Sequence, residues 1–275
     1  MTTTESPVVL ITGASRGIGL AAAQAFSAAG YRLATVATDA SALAEAGARL
    51  PSPPFVLAGD LSDFSFLETV VPKTIEQFGR IDVLVNNAAW RSLGSLRRTS
   101  LDDWERTLRI CLTAPAFLSR WAAADMERRC RGVILNVGSI MSQQAVGISP
   151  AYVACKGALE SLTYELAALY GPAGIRVVTI QPGAIDTDLS RDLRQDDQPD
   201  AIREFSEDMI MLQRWGRVEE IASVLLFLAG EGSSYITGTT IAVDGGWLRQ
   251  HLPLSLKREL FEADFSSNRS THGEE

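Results

Sequence analysis

Seven short apolar runs, separated by helix-length stretches, constrain this chain more than any other feature. The runs are VVLITG (8–13), RLATVA (32–37), FVLAGD (55–60), IDVLVNNA (81–88), GVILNVGS (132–139), IRVVTIQPG (175–183) and TIAVDGG (240–246). Their apolar residues are contiguous and do not alternate with polar ones, the pattern of strands buried on both faces. Helical stretches are expected near 17–29, 41–48, 63–78, 102–128, 151–170 and 217–230, with Ser62-Asp63 and Asp102-Asp103 as N-terminal caps. Strands alternating with helices predict an α/β, doubly wound architecture, a seven-stranded parallel sheet with helices on both faces. With no repeat and no linker, residues 1–247 read as a single domain, followed by a polar tail at 248–275 that is disordered or draped on a neighbour.

Several classes of function fall away. The most apolar segment, IASVLLFLAG (221–230), is too short to span a bilayer, and MTTTESPVVL lacks the basic and apolar regions of a secretory signal. Cys111, Cys130 and Cys155 are odd in number and irregularly spaced, which fits a reducing compartment better than disulfides or zinc. The expected location is therefore the cytoplasm. A net charge of −8 without a basic stripe argues against nucleic acid. Both histidines, His251 and His272, lie in the last 25 residues, so neither a Ser-His-Asp relay nor a His-ligated metal is expected in the core. Proton chemistry there must use Tyr, Lys, Asp, Glu or Cys.

TGASRGIG (12–19) follows the first strand and opens the first helix, where glycines let backbone approach a pyrophosphate and the helix N-terminus favours an anion. Other strand ends carry small or polar residues: Gly59-Asp60, Asn86-Asn87-Ala88-Ala89, Ser139 and Pro182-Gly183. In a doubly wound sheet these ends share one crevice. Asp60 can accept from an adenine amino group or merely cap the next helix. Asn86 and Asn87 can bond backbone across the crevice. The segment 186–212 follows a strand end, where either a substrate-covering loop or a plain solvated one would sit.

Taken in order, TGASRGIG, NNAA, Ser139, Tyr152 with Lys156 four residues later, PGAIDT and ITGTTIAVDGG resemble the short-chain dehydrogenase/reductase family from about residue 7 to 247. The resemblance implies a Rossmann fold, a small-molecule substrate, a nicotinamide cofactor and a homo-oligomer, tetramer or dimer. It implies Tyr152 as acid/base, Ser139 orienting the substrate oxygen and Lys156 holding the nicotinamide ribose. Cofactor contacts are implied at Gly13, Ser15, Arg16, Gly17, Ile18, Gly19, Thr38, Asp60, Leu61, Asn87, Ala88, Ala89, Tyr152, Lys156, Pro182, Gly183, Ile185 and Thr187. Elementary electrostatics agrees with the Tyr152 role, because an ammonium one helical turn from a phenol favours the phenolate. On a bare surface such a pair would mean little.

Two positions depart from the family. Cys111 stands where the family carries an asparagine associated with a proton-relay water, and a thiol is a weak donor and acceptor. At the end of the second strand, Ala37 replaces the acid that marks NAD enzymes, and Thr38 the arginine frequent in NADP enzymes. Arg16 can reach a ribose 2′-phosphate or can equally be a solvated residue of the turn. NADP is thus the expected cofactor, with NAD as the alternative. The expected activity is hydride transfer between a secondary alcohol or ketone and the nicotinamide. A slow or inactive NAD(P)-binding sensor or scaffold is the alternative, and an epimerase or dehydratase on the same fold is also open. Trp90, Arg91, Arg97 and Arg98 are expected near the substrate.

Overall fold

The computed structural model describes residues 6–187 and 199–265. The apolar runs form β1 (Val8–Thr12), β2 (Arg32–Ala37), β3 (Phe55–Ala58), β4 (Val83–Asn86), β5 (Gly132–Val137), β6 (Ile175–Pro182) and β7 (Thr239–Val243). All pair in parallel in the order β3-β2-β1-β4-β5-β6-β7. Every residue of β1, β4 and β5 is buried, which is why these strands read as runs in the sequence. The order reverses between β1 and β4, and this switch point opens the crevice at the strands' C-terminal ends.

Two helical layers cover the sheet. On one face α1 (Gly17–Ala28) and α8 (Val218–Ala229) bring Phe26, Ile221 and Leu225 against Ile11, Val85 and Leu135. On the other, α3 (Phe64–Phe78), α5 (Ala114–Arg128) and α6 (Pro150–Tyr170) bring Leu67, Leu118 and Leu166 against Leu10, Leu84 and Ile134. The short α2 (Ala40–Gly47) links β2 to β3.

A line of buried polar side chains runs through the second layer. Asn86 of β4 donates to Ser119 Oγ of α5 at 3.1 Å and to Asn136 Oδ1 of β5 at 2.9 Å. Asn136 in turn donates to Thr163 Oγ1 of α6 at 2.9 Å, and the Thr163 and Thr179 hydroxyls lie 2.6 Å apart. All five are buried. A slip of α6 by one residue would strand several of these groups, at a cost of about 1–3 kcal/mol each. The line therefore sets the register of α6 on the sheet.

Three local features differ from the sequence reading. The stretch expected as one helix at 102–128 is helical but not uniform: α4 (Leu101–Leu108) enters a π-helical turn (Arg109–Thr113) before α5. Pro115 has no N–H to donate to the Cys111 carbonyl four residues back, and the ladder slips, with Ala114 N donating to Arg109 O. Asp63 caps α3 as expected, but Ser100 caps α4, accepting from Asp103 N at 3.1 Å. Asp102 and Asp103 instead sit in that helix's first turn, facing its dipole. The polar tail contains α9 (Leu254–Leu260) and α10 (Glu262–Phe265). Ser255 N and Oγ donate to the Asp208 carboxylate of α7 (Pro199–Met209) at 2.7 and 2.6 Å. Within the segment 186–212, residues 188–198 lie outside the described residues, as do 266–275 of the tail.

Candidate active site

The glycine turn between β1 and α1 is shaped by contact with the end of β4. Gly13 (φ +67°) and Gly17 (φ +55°) occupy the left-handed region that glycine tolerates. A Cβ on Gly19 would lie 2.1 Å from the Gly13 carbonyl oxygen and 2.6 Å from Asn87 Nδ2. Asn87 holds this approach, donating from Nδ2 to Thr12 O at 2.9 Å and Gly13 O at 3.1 Å. The Thr12 hydroxyl accepts from both Asn87 N and Ala88 N at 3.0 Å. Among the described residues no side chain caps α1, so its first N–H groups are left to an anion.

A cavity of about 270 Å³ opens over this turn. Gly13, Ser15, Arg16, Gly17, Ile18, Thr38, Asp60, Leu61, Asn87, Ala88, Ala89 and Thr187 line it, together with Val36, Ala37, Gly59, Trp90, Arg106 and Ile110. Gly19 lies in the floor of the turn. Pro182 and Gly183 end β6 against β7, with Gly183 N donating to Val243 O at 3.1 Å, and the buried Ile185 bridges to Gly216; none of these is on the cavity wall. The crowded glycines and open helix end form a cradle that suits a dinucleotide pyrophosphate.

Asp60 does not cap α3. Its Oδ1 accepts from Ser62 N and Oγ at 2.9 and 2.8 Å, and its Oδ2 from Arg106 at 3.1 Å. Arg106 also lies over the Trp90 ring, 5.0 Å from its centre. It was not anticipated, because α4 and the β3 end are 46 residues apart and meet only in the fold. At the end of β2, the Asp39 carboxylate is committed to α2, accepting from Ser41 N at 2.9 Å and Ala42 N at 3.1 Å.

Beyond the cavity, α6 carries Tyr152 and Lys156, both buried. The Lys156 ammonium donates to the Val137 carbonyl at 2.5 Å and lies 5.3 Å from the Tyr152 ring centre. Val137 ends β5, and two residues on Ser139 starts a 3₁₀ turn (Ile140–Ser142), its Oγ accepting from Met141 N at 3.2 Å. Gln181 of β6 braces this turn, donating to Ser142 Oγ at 2.8 Å and to Glu160 of α6 at 2.5 Å. The strand end and the helix that bear the three implied catalytic residues are thus joined directly.

Cys111 sits in the π-helical turn, fully buried beside Tyr152 and Cys155. Its thiol works in both directions on one residue, accepting from Trp90 N at 3.4 Å and donating to Trp90 O at 3.3 Å. At this position a thiol ties the helix to the loop after β4. Burial pushes the Cys111 thiol up from its ordinary range and raises Cys155 to about 12, with Cys111 adding to the second shift. Only thiolate reacts with disulfide reagents. At pH 8 the native protein should therefore release one equivalent of chromophore quickly, from the exposed Cys130, and the other two only on unfolding. Rapid reaction of two or three thiols would contradict this packing.

Comparison with known proteins agrees with this arrangement. A family model described as "Enoyl-(Acyl carrier protein) reductase" matches residues 13–248. The chain is 34% identical over 243 residues to meso-2,3-butanediol dehydrogenase of Serratia marcescens, covering 88% of this chain and 94% of that one. It is also 34% identical over 249 residues to a 3-oxoacyl-(acyl-carrier-protein) reductase of Thermotoga maritima, covering 88% and 98%. Among solved structures, YwfH, an NADPH-dependent reductase involved in bacilysin biosynthesis, superposes with a TM-score of 0.84 at 25% identity, covering 89% and 99%. The chain belongs to the short-chain dehydrogenase/reductase family. It is a nicotinamide-dependent oxidoreductase acting on CH–OH groups. Among the described residues no helix is long and apolar enough to cross a membrane.

Proposed function

We propose that this enzyme interconverts a secondary alcohol and a ketone, with Tyr152 as the acid/base. The observation that carries the reading is the buried Lys156 ammonium, held 2.5 Å from the Val137 carbonyl and 5.3 Å from the Tyr152 ring centre. That contact puts a fixed positive charge beside the phenol that would exchange a proton with the substrate oxygen. Ser139, placed by the braced 3₁₀ turn, orients the substrate oxygen. Lys156 also holds the nicotinamide ribose, and Gly13 to Gly19 cradle the pyrophosphate. When bound, the nicotinamide supplies or accepts the hydride. The sensor or scaffold alternative is not favoured: Cys111, the departure that raised it, secures the site loop through Trp90. Tyr152→Phe should lower turnover by at least about a hundredfold, the usual contribution of general acid–base catalysis, while cofactor affinity by calorimetry changes little. A variant that keeps most of its activity would overturn the role.

NADP is the preferred cofactor in this reading. Ala37 and Thr38 place no carboxylate at the end of β2, Asp39 is occupied as a cap, and Arg16 lines the cavity. The similar YwfH is named for NADPH. Arg16→Ala should weaken NADP⁺ binding about tenfold, the scale of one exposed charge-assisted contact, and leave NAD⁺ binding nearly unchanged. Tighter binding of NAD⁺ by the wild-type protein would remove the preference.

The same reading makes the enzyme a cytoplasmic homo-oligomer, dimer or tetramer. The three cysteines are unpaired, and Phe117 of α5 and Tyr164 and Leu169 of α6 expose apolar surface. Light scattering should report two or four copies at micromolar concentration; a monomer would contradict the assembly.

A further inference from the structure

The ladder between β5 and β6 runs to Gly138, the residue before Ser139, whose N–H donates to Ile180 O at 2.7 Å. Glycine permits that approach, since a Cβ there would lie 2.8 Å from Thr179 Cγ2 and 3.6 Å from Gln181 Cγ. Beyond Gly138 the side chain of Gln181 continues the connection. This residue is buried on β6 and uses both ends of its amide. Its Nε2 donates to Ser142 Oγ at 2.8 Å and to Glu160 Oε1 at 2.5 Å, and its Oε1 accepts from Gln143 Nε2 at 3.2 Å. Ser142 Oγ in turn donates to the Ser139 carbonyl at 2.7 Å. The direction of the whole chain is set at Glu160. A carboxylate accepts and an amide NH₂ only donates, so Glu160 fixes which way round the Gln181 amide sits. The Ser142 hydroxyl, accepting from that amide, has its one proton left for Ser139.

We propose that Gln181, oriented by Glu160, is a positioning residue that fixes the place of Ser139 relative to Tyr152. The inference rests on the reading of Ser139 as the group that orients the substrate oxygen. Ser139 starts a short turn and Tyr152 stands on a helix, and the substrate oxygen must meet both. A misplacement of about 1 Å between such groups costs up to roughly a hundredfold in rate. Glu160 is buried on α6, one helical turn after Lys156 and two after Tyr152. Helix α6 therefore carries the phenol and the anchor of the chain as one rigid piece, and the bonds from Glu160 to Ser139 transmit its position to the turn. Gln181, Glu160 and Ser142 are absent from the lining of the cavity over the glycine turn. Loss of the chain thus falls on turnover and spares cofactor binding.

Gln181→Met keeps the length of the side chain and removes its hydrogen bonds. It should lower kcat about tenfold and leave the calorimetric Kd of NADP⁺ within about twofold. Turnover is read with NADPH and whichever of acetoin and ethyl acetoacetate the wild-type enzyme reduces faster. Glu160→Met should act in the same direction, and Glu160→Gln, which keeps an acceptor, should retain most of the rate. The decisive readout is a double-mutant cycle with Ser139→Ala. A residue that acts through Ser139 has little left to do once that hydroxyl is gone, so Gln181→Met should then cost less than about twofold. A further tenfold loss there, or no loss from either Gln181→Met or Glu160→Met alone, overturns the proposal. Gln181→Met also strips a buried carboxylate of its donor, so the paired variant Glu160→Met/Gln181→Met removes both groups and keeps the core satisfied. Its kcat should stay low, and recovery to the wild-type rate overturns the proposal. If Ser139→Ala keeps full activity, or neither ketone is reduced while NADP⁺ still binds, the reading of the reaction fails instead. Hydrogen–deuterium exchange then decides the inference alone, on the turn whose Met141, Ser142, Gln143 and Gln144 N–H groups are bonded within it. Faster exchange of that turn in the paired variant, with α6 as protected as in the wild type, supports the inference. Unchanged exchange of the turn, or protection lost equally across α6, overturns it.

Discussion

The placement of α6 is the constraint on which the rest of the site depends. In the role proposed for it, Tyr152 acts only at a fixed height above the ends of β4 and β5, and buried polar bonds set that height. Thr163 reaches Asn136 and Thr179 in the middle of the helix, and Lys156 reaches the Val137 carbonyl near its start. Apolar contact, as of Leu166 and its neighbours with the sheet, is non-directional and tolerates small sliding better. A misplaced buried hydrogen bond does not tolerate it. Lys156 therefore has two tasks. Its ammonium needs the Val137 carbonyl to be buried at all, and that bond brings its charge beside the phenol.

The other half of the site obeys a steric rule. The glycine turn and the end of β4 touch through backbone, with Asn87 threaded between Thr12, Gly13 and the position that a Gly19 Cβ would fill. The loop that continues from Asn87 then carries Trp90 and Arg91 past the cavity to Tyr152. Cys111 pins that loop at Trp90 from the π-helical turn. A residue expected to weaken a proton relay thus also has a mechanical task, which a thiol performs with one donor and one acceptor contact.

Much of this was legible in the sequence for a physical reason. Strands buried on both faces must be apolar without alternation, and the seven runs match the seven strands to within a few residues. The crevice was legible because a doubly wound sheet collects its strand ends, so that residues as distant as Gly13, Asn87 and Thr187 line one cavity. What escaped depends on contacts that no local pattern encodes. Arg106 meets Asp60 only because α4 crosses the end of β3. The π-helical turn had a signal in Pro115, four residues after Cys111, but a proline near a helix start ordinarily marks a first turn. Ser100 and Asp102 are both good caps, and the fold selects the earlier. The helices at 254–265 were hidden by the polar end that follows them, and Ser255 finds its partner 47 residues away in Asp208.

The central claim is that hydride passes between cofactor and carbon while Tyr152 handles only the oxygen-bound proton. Isotope tracing tests it most directly. The enzyme is given a ketone together with NADPH deuterated at the transferring position of the nicotinamide, in ordinary water, and the experiment is repeated with unlabelled NADPH in heavy water. The account predicts one deuterium per turnover on the carbinol carbon in the first case and none on any carbon in the second. Deuterium entering from heavy water onto carbon, with none delivered by the cofactor, would mean that the site abstracts protons from carbon, as an epimerase or dehydratase does, and would contradict the account.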